Sequence, residues 1–175
     1  MTVRTFLADV LSQLVVFAEL FGLPVLFVVF ILQGMLIGKP LSTTLFLPGY
    51  IIATRADMTE TVLTVLVVTL GYIIGQLVIY VGVDRYGLRF IERLPYVNFD
   101  PTSERTQQVL RWFDTYGGLA VFVSNCVPFF RGLLTIPAAT SDYPLGWYVG
   151  YMGSSSLLYF SAYVALALAG VQLVL

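Results

Sequence analysis

Residues 61–83, TVLTVLVVTLGYIIGQLVIYVGV, run without a single charge. A helix needs roughly 20 residues to cross a bilayer core about 30 Å thick, so this stretch reads as a transmembrane span. Working outward, residues 143–175 also carry no charge and are long enough to cross with tilt, while residues 20–37 reach span length marginally. The whole 175-residue chain agrees: 58% hydrophobic, 11% charged and a mean hydropathy of +0.89, against about 25% charged in a soluble domain. The expected class is an all-α polytopic membrane protein, one membrane domain over residues 1–175 with no separate soluble module.

Composition excludes several chemistries. Nine basic residues balance ten acidic ones, so no electropositive footprint for nucleic acid exists. The chain has no His and one Cys, Cys126, which removes the commonest metal ligands and neutral-pH acid–base groups; no cofactor or metal is expected. Asp9 and Glu19 interrupt the first apolar region, so residues 1–19 read as a retained interfacial or tilted helix rather than a cleaved signal.

Two apolar stretches differ from the spans. Residues 40–54 are too short to cross, begin at Pro40 and contain Pro48-Gly49; residues 119–140 carry Pro128, Arg131 and Pro137. Proline removes an N–H and obstructs the helix, so both read as re-entrant hairpins. Non-helical backbone at membrane depth survives where it is buried in protein or lines a wet cavity.

The long polar stretch, residues 84–118, holds Arg85, Arg89, Arg93, Arg105 and Arg111, which the positive-inside rule places in the cytoplasm. Within it Asp100-Pro101 read as a helix start and Gly117-Gly118 as a stop, with Val109, Trp112, Phe113 and Tyr116 at helical spacing. Two readings of that face stand side by side, the membrane surface or the transmembrane bundle. Residues 61–83 then run inward and residues 20–37 outward, and the hairpins enter from opposite faces. Hairpin then span, used twice in opposite orientation, is a pseudo-inverted repeat. Gly71 and Gly75 in one span and Gly146 and Gly150 in the other each form a GxxxG helix-packing motif. Tyr143, Trp147, Tyr148 and Tyr151 read as an interfacial aromatic belt, and Asp57 and Glu60 as solvated loop charges.

Arg131 stands out among the polar residues. A charge near the bilayer centre costs at least about 2.5 kcal/mol, so it requires a partner or a polar cavity, and its forked donors suit phosphate or carboxylate. Ser124, Asn125, Thr135 and Thr140 add hydrogen-bonding groups nearby, and Tyr50 and Gln76 supply them on the other hairpin and the first span.

These residues resemble the DedA family, also called SNARE-associated or VTT-domain membrane proteins, over about residues 31–160. FLPG at residues 46–49 is similar to the family's first re-entrant loop. Residues 75–87, GQLVIYVGVDRYG, are similar to its signature, with Gly75, Tyr80, Gly82, Arg85 and Gly87 in place. Residues 125–139, NCVPFFRGLLTIPAA, resemble its second hairpin and keep Pro128 and Arg131. The resemblance implies two opposed re-entrant loops and transport of lipids, polyprenyl phosphates or phospholipids, often coupled to protons through carboxylates. This chain departs from that pattern: Tyr50 and Gln76 stand where the family has acids, Asn125 stands for the first arginine of a pair, and Gln33 aligns with a further carboxylate.

The expectation is a multi-pass protein of the cell membrane, not an enzyme. It moves an anionic-headed lipid without carboxylate-based proton coupling, with Arg131, Asn125, Gln76 and Tyr50 binding the head group. Membrane lipids are the partners, and a homo-oligomer stays open. A small-ion or solute carrier and a non-transporting assembly factor working through residues 84–118 are the alternatives.

Overall fold

The computed structural model describes residues 22–35, 43–93, 103–127 and 131–174, and every regular element among them is an α-helix. In chain order these are α1 (Gly22–Gly34), α2 (Thr43–Ala53), α3 (Met58–Tyr86), α4 (Leu88–Glu92), α5 (Glu104–Tyr116), α6 (Gly118–Cys126), α7 (Thr135–Thr140) and α8 (Leu145–Val174). Residues 1–19, Pro40, Asp100, Pro101 and Pro128 lie outside the described residues. Among the described residues, two helices are long and apolar enough to cross a membrane: α3, about 44 Å at 1.5 Å per residue, and Leu145–Gly170 of α8.

The start of α3 is fixed by a capping box. Glu60 N donates to Asp57 Oδ1 (2.7 Å) and Asp57 N donates back to Glu60 Oε2 (3.2 Å), so two orphan N–H groups are satisfied. These two acids therefore have a structural role at the helix start.

The two long helices pack against each other in opposite directions. Tyr72 meets Phe160 edge-on at 5.9 Å between ring centroids, and Tyr80 meets Tyr148 at 5.0 Å, so contacts climb one helix as they descend the other. Each long helix carries a shorter one running parallel to it. On α3, α1 lies with Phe27 against Gly71, and with Ile31 and Gly34 against Gly75. On α8, α6 lies with Gly118 under Tyr151 and Asn125 beside Met152, Ser155 and Ser156. The second short helix of each half crosses over: α2 packs on α8 and α7 packs on α3.

This parallel packing corrects the reading of residues 20–37 as a span running opposite to residues 61–83. The α1 helix has 13 residues, about 20 Å, and runs with α3. It is the first arm of a fold-back whose second arm is α2, just as α6 and α7 are the arms of the other. That second fold-back closes on itself, since Gly117 and Gly118 at its start meet the Tyr143 side chain that follows α7.

The halves match in backbone more closely than in residue identity. Residues 35–42 separate α1 from α2 and residues 127–134 separate α6 from α7, eight residues each; links of four residues, 54–57 and 141–144, then lead into the long helices. The second residue of each link, Arg55 (φ 50°) and Asp142 (φ 52°), is left-handed, and these are the two non-glycine residues so placed among those described. The next N–H bonds five residues back in both, Ala56 to Ile51 O and Tyr143 to Ala138 O, each at 3.1 Å. Thr54 Oγ1 donates to Tyr50 O and Ser141 Oγ to Pro137 O in the same way. All these pairs, and the starts of the long helices at Met58 and Leu145, lie 87 residues apart.

The prolines behave differently from one another. Val127 is extended (φ −100°, ψ 120°), as the residue before a proline is, and α6 ends there. Pro48 and Gly49, in contrast, do not break the chain: α2 continues through both, with Leu47, Pro48, Gly49 and Ile51 buried. Pro137 does not break α7 either. It is the third residue, where its missing N–H has no intrahelical acceptor to lose.

The glycine motifs also divide. A Cβ on Gly71 would sit 2.7 Å from Phe27 O, and one on Gly75 would sit 2.8 Å from Gly34 Cα, so α1 and α3 touch backbone to backbone. Gly146 and Gly150 meet nothing within 4 Å. Partners dock on the face of α8 that carries Tyr148, Met152 and Ser155, and positions two residues removed point about 200° away. The aromatic belt is split by the same rule: Tyr148 is fully buried, whereas Trp147 is 65% exposed.

Further along, Gly82 gives room to the Phe90 ring where α4 folds back on α3, and Gly87 (φ 65°) makes that turn. Phe113 of α5 packs edge-on against Tyr143 at 5.5 Å, while Trp112 and Tyr116 remain exposed. The α5 face thus serves the bundle through one ring and leaves two rings outside.

Candidate functional site

A charged side chain in an apolar bundle needs compensation, and Arg131 obtains it from aromatic rings. It lies in the turn between α6 and α7, with its Cζ 4.2 Å from the Tyr72 ring centroid, 4.1 Å from Tyr159 and 4.5 Å from Phe160. Each such contact contributes about 0.5–2 kcal/mol, the larger figure when desolvated. Tyr72 and Tyr159 are each the fifteenth residue of their long helices and lie 87 residues apart, so equivalent positions of the two halves hold the one guanidinium. Arg131 therefore sits half-way along both candidate spans.

Its orientation comes from Asn125. Arg131 Nε donates to Asn125 Oδ1 (3.4 Å), which also accepts from Tyr72 OH (3.2 Å). The Asn125 amide nitrogen in turn faces Met152 O (3.2 Å), Ser155 Oγ (2.9 Å) and Ser156 Oγ (2.7 Å). With both ends of the amide occupied, Asn125 joins α6, α3 and α8 and holds the arginine from behind. The two terminal nitrogens, Nη1 and Nη2, are buried without a hydrogen-bond partner among the described residues. A guanidinium offers five N–H donors, and unpaired buried donors cost about 1–3 kcal/mol each. Gln33 Oε1 on α1 is buried and unpartnered in the same way.

Gln76, one turn beyond Tyr72 and fully buried, is a junction rather than a ligand-facing group. Its Nε2 donates to Gly34 O (2.8 Å) and Tyr72 OH (3.2 Å). Its Oε1 faces the hydroxyls of Thr135 and Tyr148 (3.2 Å to the latter), which lie 2.6 Å from each other; with one proton each, the two hydroxyls make two of these three bonds at a time. Two donors and two acceptor sites are the whole capacity of a glutamine, so none is left for a head group. It ties α1, α3, α7 and α8 together at one point.

Tyr50 stays outside this cluster. Its phenol is in electrostatic range of Glu60 at the start of α3, and it makes no contact with Arg131 among the described residues. Of the four residues read from the sequence as binding the head group, the structure brings Arg131 and Asn125 together, engages Gln76 in the framework and leaves Tyr50 apart. Missing from that reading were the cage rings Tyr72, Tyr159 and Phe160 and the serines Ser155 and Ser156. The signal available was positional: Tyr72 and Tyr159 stand at matching places in two apolar spans.

Among the described residues, no carboxylate lies in these surroundings. Asp57, Glu60, Asp84, Glu104, Asp114 and Asp142 are all exposed. The sequence has no acid in residues 20–56, 61–83, 115–141 or 143–175, which covers both fold-backs and both long helices to within a turn of their ends. No metal-ligating cluster of acids, Cys or His occurs among the described residues.

No family model, curated protein or solved structure matches this chain. Function is therefore argued from the site itself.

Proposed function

We propose that the chain is a DedA-like, multi-pass protein of the cell membrane that moves an anionic-headed lipid, a polyprenyl phosphate or a phospholipid, from one leaflet to the other. The observation that carries this reading is the pair of buried, unpartnered donors on Arg131. Two parallel N–H groups match two oxygens of a phosphate, and a charge-assisted pair of that kind is among the strongest hydrogen-bonded contacts a protein makes. Asn125 and the three rings hold the fork in place, and the lipid tails stay in the surrounding hydrocarbon.

The architecture supports movement as well as binding. The fold-backs α1–α2 and α6–α7 are rooted at the starts of α3 and α8, and those helices run in opposite directions. In a bilayer the hairpins enter from opposite faces, with residues 84–118 on the cytoplasmic side. Rocking of one half against the other exposes Arg131 first to one leaflet and then to the other, as in inverted-repeat transporters. The chemistry is binding and release, with no covalent step.

The test is reconstitution into liposomes carrying a fluorescent phospholipid or a labelled polyprenyl phosphate, with an impermeant reductant quenching the outer leaflet. Quenching beyond the outer half, abolished by Arg131→Ala in a folded protein, is the expected result. Equal quenching by that variant overturns the assignment.

A further inference from the structure

We infer that Gln33 is the specificity contact of the head-group site: its amide oxygen selects lipids that carry a hydrogen-bond donor, an O–H or N–H, beside the phosphate. This rests on the lipid-transport reading above and specifies which head groups that site takes.

Among the described residues, three buried side-chain atoms lack a hydrogen-bond partner: Arg131 Nη1, Arg131 Nη2 and Gln33 Oε1. Two are donors and one is an acceptor, yet they do not pair with one another, so each is left to a third group. Arg131 and Gln33 are partly exposed as whole residues, while these atoms are not.

The packing of α1 brings Gln33 to the level of the arginine. Leu26, Phe30 and Gln33 fall at i, i+4 and i+7, one face of the helix, and Leu26 and Phe30 are buried there while Val28 and Leu32 point outward. Phe30, one turn before Gln33, meets Phe160 edge-on at 5.2 Å, and Phe160 is one of the rings around the guanidinium, 4.5 Å from Cζ. Gly34, the next residue, packs on the Tyr72–Gln76 turn of α3, where a Cβ would sit 2.9 Å from Gly75 Cα and 3.1 Å from Gln76 N. Tyr72 in that turn carries the ring 4.2 Å from Arg131, and Gln76 holds the Gly34 carbonyl at 2.8 Å. The unpaired acceptor thus stands one turn from the cage that holds the unpaired donors.

The two ends ask for different things. The arginine fork takes two phosphate oxygens, and an amide oxygen accepts only, so the group that meets Gln33 must bring a hydrogen. The hydroxyls of a phosphoglycerol, the ammonium of a phosphoethanolamine and the P–O–H of a singly charged phosphomonoester each place such a donor close to the phosphate. A phosphocholine or a phosphate methyl diester has none and leaves Oε1 buried and unpaired.

The experiment uses the intact protein in phosphatidylcholine vesicles carrying one trace labelled lipid at a time, with an impermeant reductant reading leaflet exchange. Each donor lipid is paired with a counterpart that lacks the donor: phosphatidylglycerol with phosphatidylmethanol, phosphatidylethanolamine with phosphatidylcholine, and a polyprenyl phosphate with its methyl ester. In the parent, at least one donor lipid should exchange about 5- to 150-fold faster than its counterpart, and the pair that shows this identifies the donor. In Gln33→Leu that ratio should fall to about one, because the donor lipid slows, with the remaining exchange still lost in Arg131→Ala. Equal rates within every pair in the parent, a comparison that needs no variant, overturn the inference; so does an unchanged preference in folded Gln33→Leu. In both cases exchange that depends on Arg131 leaves the transport reading standing. Absence of exchange for every lipid, in folded parent protein, overturns both.

Discussion

Replacing Gln76 with leucine separates a framework role from a binding role at the centre of the molecule. The side chain has four hydrogen-bonding partners, but their loss is unequal. Thr135 and Tyr148 keep each other at 2.6 Å, and Tyr72 still donates to Asn125 at 3.2 Å. The Gly34 carbonyl, which accepts from Nε2 at 2.8 Å, has no replacement among the described residues. One orphaned buried acceptor costs about 1–3 kcal/mol. Interhelical polar contacts in bilayers average about 0.6 kcal/mol, and two of them are lost, to Thr135 on α7 and Tyr148 on α8. Leucine fills nearly the same volume, so no cavity adds to the cost. The expected destabilisation is about 2–4 kcal/mol, read by denaturation in mixed micelles with increasing SDS. Lipid translocation by the folded fraction should persist, because Gln76 has no free capacity for a head group. A variant within about 0.5 kcal/mol of the parent would refute the junction; a variant of parental stability that no longer translocates would return Gln76 to the binding site.

Three other outcomes follow from the packing. Gly75→Leu should separate α1 from α3 and lower stability by more than about 2 kcal/mol, since its Cβ alone meets Gly34 Cα at 2.8 Å, whereas Gly150→Leu should stay within about 0.5 kcal/mol in the same denaturation assay. Asp57→Ala removes the side-chain cap of α3 and should cost about 1 kcal/mol without altering lipid specificity. Tyr72→Phe keeps its ring over Arg131 but loses the hydroxyl that bonds Asn125. Tyr159→Leu loses a ring at 4.1 Å, and should therefore weaken phosphate-lipid binding in a fluorescence titration more than Tyr159→Phe does.

Arg131 was legible in the sequence because a charge inside an apolar, proline-flanked run demands an explanation, and Asn125 was legible through its nearness to it. Gly71 and Gly75 were legible as a motif, yet Gly146 and Gly150 carry the same motif and face outward. The pattern states that two small residues share a face, and only the docking of α6 on the Tyr148 side of α8 decides which face is covered. Proline gave the same ambiguity: chain preceding Pro128 turns extended, while burial carries α2 through Pro48. The direction of α1 depends on backbone contact between Gly34 and Gly75, which hydropathy does not encode. The likeness of the two links was hidden because they share length and backbone geometry while their residues differ; Thr54 and Ser141 make the same bond from different side chains.

The most direct test of the site is leaflet exchange in proteoliposomes comparing the parent with Arg131→Ala and Arg131→Lys, each first shown to be folded by circular dichroism and monodispersity in detergent. The expected result is rapid loss of inner-leaflet fluorescence for the parent and none beyond the outer half for Arg131→Ala. Arg131→Lys should fall between them, because it keeps the charge and loses the fork. Parental exchange rates in folded Arg131→Ala would contradict a head-group site at this arginine.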